Sequence, residues 1–136
     1  MENEMIKVSK TALIRTAAVA SVVLLAGCSQ EPAELPVSFS KDVMPVLQQH
    51  CSECHMPGGA GEVASGLDLS SYESTMKGTK FGAIVLPGES ASSTISILIE
   101  GRADPSINMP HGDRPPLTKE ETGIIAKWIN QGAKNN

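Results

Sequence analysis

The most regular pattern of apolar and polar positions lies near the end of the chain. Apolar residues recur there at the three- and four-residue spacing of one helix face: Ile124, Ile125, Trp128 and Ile129. Thr118 and Glu121 precede this stripe with the spacing of a capping box, and Gly132 follows where a C-terminal cap belongs. The pattern predicts a helix that begins after Thr118, ends before Gly132 and buries its apolar stripe.

Three further helices are predicted upstream. The first runs over about 41–51, with Ser40 as its N-cap and apolar residues at helical spacing. Shorter helices are predicted near 71–77 and over about 92–100, and a glycine follows each of them. Alternating runs suggest no sheet beyond at most a residue pair near 67–69. The chain is therefore predicted to form a small all-helical domain with long loops rich in Gly and Pro.

The start of the chain has the parts of a secretory signal. A region with Lys7, Lys10 and Arg15 precedes the uncharged stretch "TAAVASVVLLA", which ends in "LAGC" at residues 25–28. This apolar run is too short for a spanning helix, which needs about 20 residues. The pattern predicts that residues 1–27 are a signal peptide and that the protein is exported.

"LAGC" resembles the lipobox of bacterial lipoproteins, and this resemblance implies that Cys28 is lipidated. The chain has three cysteines, so a joint role for Cys51 and Cys54 leaves Cys28 without one. The alternative is an ordinary signal with a free cysteine nearby. Ser29 and Gln30 follow instead of Asp, which favours attachment to the outer membrane, facing the periplasm or the cell surface, over the inner membrane. Residues 28–37 are then a flexible lipid-anchored tether and residues 38–134 the domain.

The charge and the aromatic content narrow the class of partner. Residues 28–136 contain eight Lys plus Arg and thirteen Asp plus Glu, a net charge of about −5. Nucleic-acid binding needs a basic surface, so it is not expected. An acidic domain favours other redox proteins that carry a basic docking patch. With one Trp, one Tyr and two Phe, the core is thin, and a large flat cofactor could complete it.

The stretch "HCSECHMP" at residues 50–57 is the richest in chemistry, and its CxxCH pattern suits a redox dithiol, half of a zinc site or covalent haem. A thioredoxin-like dithiol opens a helix after a strand, whereas these cysteines close a predicted helix. Zinc needs four ligands, usually as two pairs, and no second pair exists. For haem, Cys51 and Cys54 stand about one helical turn apart to add to two vinyl groups, and His55 supplies the proximal iron ligand. The sequence favours haem.

Two stretches carry a resemblance to a known family: "FSKDVMPVLQQHCSECH" at residues 39–55 and "INMPHGDRPPLTKEETGIIAKWINQGA" at residues 107–133. They resemble the monohaem class I c-type cytochromes, and most closely the cytochrome c domain of planctomycete type. "SGLDLSSYESTMKG", "IVLPGESASSTI" and "NMP" lie between or within them in the expected order. The resemblance implies a helical fold wrapped around one covalently attached haem c and an electron-transfer role.

The sequence offers more than one candidate for the sixth iron ligand. Position along the chain removes all methionines except Met76 and Met109, and Met76 suits a core side chain on its short helix. Met109 lies in the proline-rich loop before the last helix and matches the "MP" distal ligand of the family. In an extended loop His111 points to the same side as Met109, so it is the alternative ligand. An open sixth position also stays possible.

Other polar groups lie near the motif or near Met109 in the sequence. Arg102 and Arg114 lie on either side of Met109 and can either neutralise haem propionates or be solvated. His50 is predicted to be an exposed polar residue and not a ligand. The proximal imidazole needs an acceptor for its N–H, and a backbone carbonyl near Gly66 or Leu67 is the candidate.

Three functions fit these residues. The leading one is a one-electron carrier that is not an enzyme, because no catalytic base, nucleophile or small-molecule substrate pocket is evident. A haem-based ligand-binding or sensor protein with an open or displaceable sixth site is the second. A dedicated electron-delivery subunit of a redox enzyme is the third.

Overall fold

The structure, a computed structural model, describes residues 34–136. The predicted signal peptide, the lipidation site Cys28 and the first part of the predicted tether lie outside the described residues. Within 34–136, no helix is long and apolar enough to cross a membrane.

The described part of the chain is helical, which confirms the predicted fold class. A π-helical turn, Phe39–Val43, leads into the first of six α-helices: α1 Met44–His50, α2 Ser52–His55, α3 Ala60–Ser65, α4 Tyr72–Lys77, α5 Thr94–Ile99 and α6 Lys119–Asn130. A 3₁₀ turn, Ser90–Ser92, precedes α5. Between residues 34 and 136 there is no strand, and one isolated bridge joins Thr79 and Gly82.

The first helix starts earlier than predicted and with a wider turn. Ser38, not Ser40, is the N-cap, and its hydroxyl accepts a hydrogen bond from the Lys41 amide at 3.2 Å. The amide of Val43 reaches back five residues to the carbonyl of Ser38, at 3.2 Å. Ser40 instead donates its hydroxyl hydrogen to the carbonyl of Asn136, at 2.9 Å. The prediction of Ser40 as the cap was wrong because it used neighbouring residues alone. The partner of Ser40, Asn136, is 96 positions away and meets it only in the folded chain.

The last helix follows its sequence pattern closely. Thr118 and Glu121 form both hydrogen bonds of the capping box. Trp128 and Ile129 are 1% and 0% exposed, so the predicted apolar stripe is at the centre of the core. Gly132, two residues past the helix, has a φ of +96°, a conformation that favours glycine.

Aromatic packing fixes α6 against the start of the domain. The rings of Phe39 and Trp128 are 5.2 Å apart between centroids, and those of Phe39 and Tyr72 are 5.3 Å apart at nearly right angles. The Trp128 indole N–H donates to the carbonyl of Lys134 at 2.9 Å, and the Tyr72 hydroxyl donates to that of Ala133 at 2.8 Å. Three of the four aromatic residues thus cluster in the core, where α6 meets the π-helical turn and the start of α4, whereas Phe81 is exposed.

Two helices differ from the sequence prediction. Helix α3 was not predicted, since its sequence contains a glycine and follows "MPGG", which indicates a loop. Gly66 caps it in the left-handed region, with a φ of +76°. The helix predicted over 92–100 begins later, at Thr94, because Ser93 is its extended N-cap and its buried hydroxyl is hydrogen-bonded to Leu86 and Glu89. The predicted helix near 71–77 is confirmed as α4, with a capping box at Ser71.

Candidate haem-binding site

The CxxCH motif lies at the junction of α1 and α2. The amide of Cys51 donates to the carbonyl of Leu47 at 2.9 Å and so closes α1. The amides of Cys54 and His55 both donate back to the carbonyl of Cys51, at 3.1 and 2.9 Å. Cys51 and Cys54 are therefore one turn apart, and both are free, half-buried thiols. This is the spacing that two thioether bonds to one haem require.

The imidazole of His55 is held by backbone groups on one side. His55 is 8% exposed, and its Nδ1 lies 3.2 Å from the carbonyl oxygen of Leu67. Because a carbonyl only accepts hydrogen bonds, Nδ1 must carry the proton. In a neutral ring Nε2 then has the free lone pair that a metal ligand needs. Of the two acceptors suggested by the sequence, the structure selects Leu67 over Gly66.

The same short segment also binds the backbone of His55. The amide of Leu69 donates to the carbonyl of His55 at 2.7 Å, and Leu69 itself is 4% exposed. Leu67 and Leu69 thus contact both ends of the histidine. Its orientation is fixed by two hydrogen bonds from a segment anchored in the core.

Two glycines let α3 approach the motif closely. A Cβ atom built on Gly61 would lie 2.7 Å from Cε1 and 2.9 Å from Nε2 of His55. A Cβ on Gly59 would lie 2.5 Å from the carbonyl oxygen of Cys54. Real Cβ atoms do not approach this closely, so any side chain at either position would displace the helix or the motif. Sequence analysis missed these two positions, and the glycine-rich run "GGAG" after the motif was the signal that could have indicated them.

Electrostatics distinguish Cys51 from a reactive thiol. Burial raises its pKa to about 11, the neighbouring Cys54 adds to this rise, and Arg114 opposes it. Redox-active cysteines have a lowered pKa, which keeps them as thiolates. Between residues 34 and 136, no group of three or more His, Cys, Asp or Glu side chains converges as a metal-binding set. The raised pKa of Cys51 therefore argues against a redox-active dithiol at this motif.

Met109 lies beside an open cavity of about 420 Å³, a size typical of ligand sites. Its side chain is half-buried against the core, and its amide donates to the carbonyl of Leu98 at 3.1 Å. Residues of α5, the loop and α6 line the cavity together: Ile99, Asn108, Met109, Arg114, Leu117 and Thr122 among others. His111 is exposed and is not one of the described residues that line it. Met76 packs against the hydrophobic core from α4.

The two arginines on either side of Met109 both form ion pairs within the chain. Arg114 places Nη2 2.6 Å from Oε1 of Glu53, which stands between the two cysteines of the motif. Arg102 forms an ion pair with Glu100 at 2.6 Å and donates to the carbonyl of Ala91 at 3.1 Å. Arg114 therefore connects the cavity that Met109 lines to the helix that carries the motif.

His50 is not the exposed residue that the sequence suggested. Its side chain is 11% exposed, and Nε2 lies 2.8 Å from Oε1 of Glu121 in the capping box of α6. The carboxylate of Glu121 also accepts hydrogen bonds from the backbone amide of Thr118 at 2.7 Å and from its hydroxyl at 2.9 Å. The Thr118 amide, and after it His50, lower the pKa of Glu121 to about 2. The prediction was wrong because residues 50 and 121 meet only in the folded chain.

Taken together, the donor set fits a covalent haem c. Two thiols one turn apart, an imidazole with Nε2 as its free nitrogen and a half-buried thioether are the groups that such a haem requires. Gly61 of α3 leaves room beside the imidazole that no side chain occupies.

Comparison with known proteins agrees with this geometry. The model of the family described as Planctomycete cytochrome C matches residues 51–113, from the first cysteine of the motif to just beyond Met109. The match confirms the resemblance drawn from the sequence and is consistent with a cytochrome c-type domain. Such a domain implies covalent haem c and indicates haem-based electron transfer. No curated protein and no solved structure matches the chain.

Proposed function

We propose that this protein is a one-electron carrier in which Cys51 and Cys54 hold a single haem c and His55 and Met109 are its axial ligands. The haem supplies a reversible Fe(III)/Fe(II) couple. The observation that carries the proposal is the contact between Nδ1 of His55 and the carbonyl of Leu67, at 3.2 Å. It assigns the proton to one ring nitrogen and leaves the other free for iron, directly after two correctly spaced thiols.

On the proximal side, hydrogen bonds to Leu67 and Leu69 hold His55 in one orientation. A carbonyl that accepts from Nδ1–H raises the basicity of the imidazole and fixes the plane of its ring. Because the ring is buried, water has little access to it. These properties favour fast electron transfer, since a ligand that does not move between the two oxidation states adds little reorganisation.

Met109 is the proposed distal ligand on the ground of its position. Its thioether is half-buried beside the cavity, and its amide is bound to Leu98, whereas His111 is exposed. A thioether opposite His raises the reduction potential relative to two imidazoles. The proposal therefore includes a carrier of fairly high potential.

The partner and the location follow from charge and from the start of the chain. The net charge of about −5 over residues 28–136 supports a redox partner with a basic docking patch. The "LAGC" sequence supports a lipid anchor on Cys28, after export and removal of residues 1–27. We propose attachment to the outer membrane, with the domain in the periplasm or at the cell surface.

Electron transfer is tested by stopped-flow mixing of the haem-loaded protein with a small redox protein that has a basic docking surface. We expect rapid, second-order oxidation or reduction whose rate falls as salt is added. Exchange that takes hours would contradict the carrier role. Rapid binding of carbon monoxide to the reduced protein would instead favour the ligand-binding function.

The anchor is tested separately in a bacterial host that processes lipoproteins. The parent protein should partition with membranes, and Cys28→Ala should move it to the soluble exported fraction or block its maturation. Equal partitioning of the two proteins would contradict lipidation at this residue.

A further inference from the structure

The loop between α5 and α6, residues 101–118, which we call the distal loop, is held in two different ways. Its first half is hydrogen-bonded to α5 and to itself. The amides of Arg102 and Met109 donate to the carbonyls of Ile97 and Leu98, at 2.9 and 3.1 Å. The side chain of Asn108 closes the turn between them through the backbone of Ala103.

The second half of the distal loop, residues 110–117, has no such support. Within residues 34–136, the backbone of these eight residues makes no hydrogen bond. Leu117, 8% exposed, anchors its far end in the core. Within residues 34–136, this half of the loop forms one ion pair, in which Arg114 contacts Glu53 at 2.6 Å.

We propose that the Glu53–Arg114 ion pair is a clasp that closes the second half of the distal loop over the haem motif and restrains Met109. This inference rests on the proposed ligation by Met109. Glu53 lies between the two cysteines, so attachment of haem fixes its position relative to the iron. Both residues of the pair are positioning residues, because they act on the iron ligand through the loop.

The length and composition of the loop make this coupling effective. Arg114 is five positions after Met109, and such a segment spans at most about 18 Å when fully extended. Pro110 lies within this segment and further reduces its freedom, since its ring fixes one backbone torsion. Holding Arg114 therefore limits how far the segment after Met109 can move away.

The expected strength of the clasp follows from its exposure. The side chain of Glu53 is 77% exposed and that of Arg114 is 33% exposed. Exposed pairs contribute little, so breaking this one should raise the population of the open loop by about two- to fivefold. Added salt should weaken the pair and reduce the difference between parent and variants. The clasp thus adjusts access to the distal site without deciding whether the protein folds.

The test uses the haem-loaded protein and four changes: Glu53→Gln, Arg114→Gln, both together, and the reversed pair Glu53→Arg with Arg114→Glu. The first readout is the rate at which added imidazole abolishes the sulfur-to-iron absorption band. The second is hydrogen exchange at the Met109 amide, which is bonded to Leu98 and requires no iron ligand. Each single variant should raise both rates about two- to fivefold.

Non-additivity and rescue identify the pair. The double variant should exceed neither single variant, and the reversed pair should return both rates to within about twofold of the parent. Lys127→Gln, which breaks the exposed Glu34–Lys127 pair at 3.0 Å on α6, is the matched control and should leave both rates unchanged.

Other outcomes would overturn the clasp. If Arg114→Gln raises the rates and Glu53→Gln does not, Arg114 acts on another group, such as a haem propionate. If the effects of the two single variants multiply in the double variant, the residues act independently. A parent protein without the sulfur-to-iron band would refute the proposed ligation, while exchange at the Met109 amide would still decide whether the pair holds the loop.

Discussion

The two sides of the candidate haem site are built differently. On the proximal side, the carbonyl of Leu67 accepts from the ring N–H of His55, and the amide of Leu69 donates to the carbonyl of His55. Two glycines also bring α3 into direct contact with the motif. On the distal side, Met109 stands at the boundary between a hydrogen-bonded half-loop and a half-loop held by one ion pair and one buried leucine. One proposed ligand is held by packed backbone, and the other lies next to a loop segment that is held only near its far end.

This difference teaches how a small chain can hold one proposed iron ligand firmly and leave the other adjustable. Backbone hydrogen bonds and close packing resist displacement, because moving either side leaves buried groups without partners. A surface ion pair costs little to break. The proximal geometry is therefore expected to be insensitive to salt and surface mutation, and the distal geometry is expected to respond to both.

The largest expected effect removes the apolar anchor of the distal loop. Leu117→Ala deletes a core side chain that is 8% exposed, so the free energy of unfolding should fall by about 2–5 kcal/mol. Leu86→Ala, at a residue 42% exposed, is the control and should cost much less. Chemical denaturation of the two variants checks this. Equal losses would show that Leu117 is not the anchor and that the second half of the distal loop is held elsewhere.

A smaller effect is expected from tightening the proximal side too far. Gly61→Ala places a Cβ 2.7 Å from the imidazole of His55, and overpacking of this kind costs about 1–3 kcal/mol. The higher helix propensity of alanine offsets at most about 1 kcal/mol of that cost. We expect a net loss of stability in denaturation experiments, together with a changed absorption spectrum of the haem-loaded protein.

Gly123→Ala is the matched control, since a Cβ there meets nothing within 4 Å and the residue lies inside α6. It should stabilise the protein by up to about 1 kcal/mol. If Gly61→Ala were to behave in the same way, the close contact between α3 and the motif would not constrain the histidine.

The smallest effect concerns the contact between the end of α1 and the start of α6. Glu121 has its pKa lowered to about 2, first by the Thr118 amide and then by His50. A folded-state pKa below the unfolded one stabilises the fold above the unfolded pKa of about 4.5, and this contribution disappears as the pH falls towards 2. Glu121→Gln should therefore be less stable than the parent at pH 6, and the difference should shrink across this window.

Thermal unfolding of the parent and Glu121→Gln at several pH values measures this difference. Glu120→Gln is the neighbouring control, since the Glu120 side chain makes no hydrogen bond to the described residues. A stability difference that stays constant from pH 6 to pH 2 would contradict a role for the ionised carboxylate.

Local patterns carried much of the fold. The capping box at Thr118, the buried stripe around Trp128 and the spacing of the CxxCH motif depend on residues a few positions apart, so the sequence was sufficient to predict them. Helix α3 was not predictable, since its glycine disfavours a helix and its stability comes from contact with the motif. In the candidate site, too, local patterns were predictable and contacts with distant residues were not.

Contacts between distant residues were beyond reach of the sequence. The pairs His50–Glu121 and Glu53–Arg114 join residues separated by about sixty or seventy positions, and nothing in either local pattern indicates the partner. The acceptor of the His55 N–H could be narrowed to two residues because the family needs a carbonyl near this point. Only the fold distinguished Leu67 from Gly66.

The most direct test of the account is the absorption spectrum of the oxidised, haem-loaded protein, compared with Met109→Ala and with His111→Ala as the control. We predict a c-type spectrum with a long-wavelength sulfur-to-iron band in the parent and in His111→Ala, and loss of that band in Met109→Ala. A band that survives in Met109→Ala, or a parent protein that holds no covalent haem, would contradict the account.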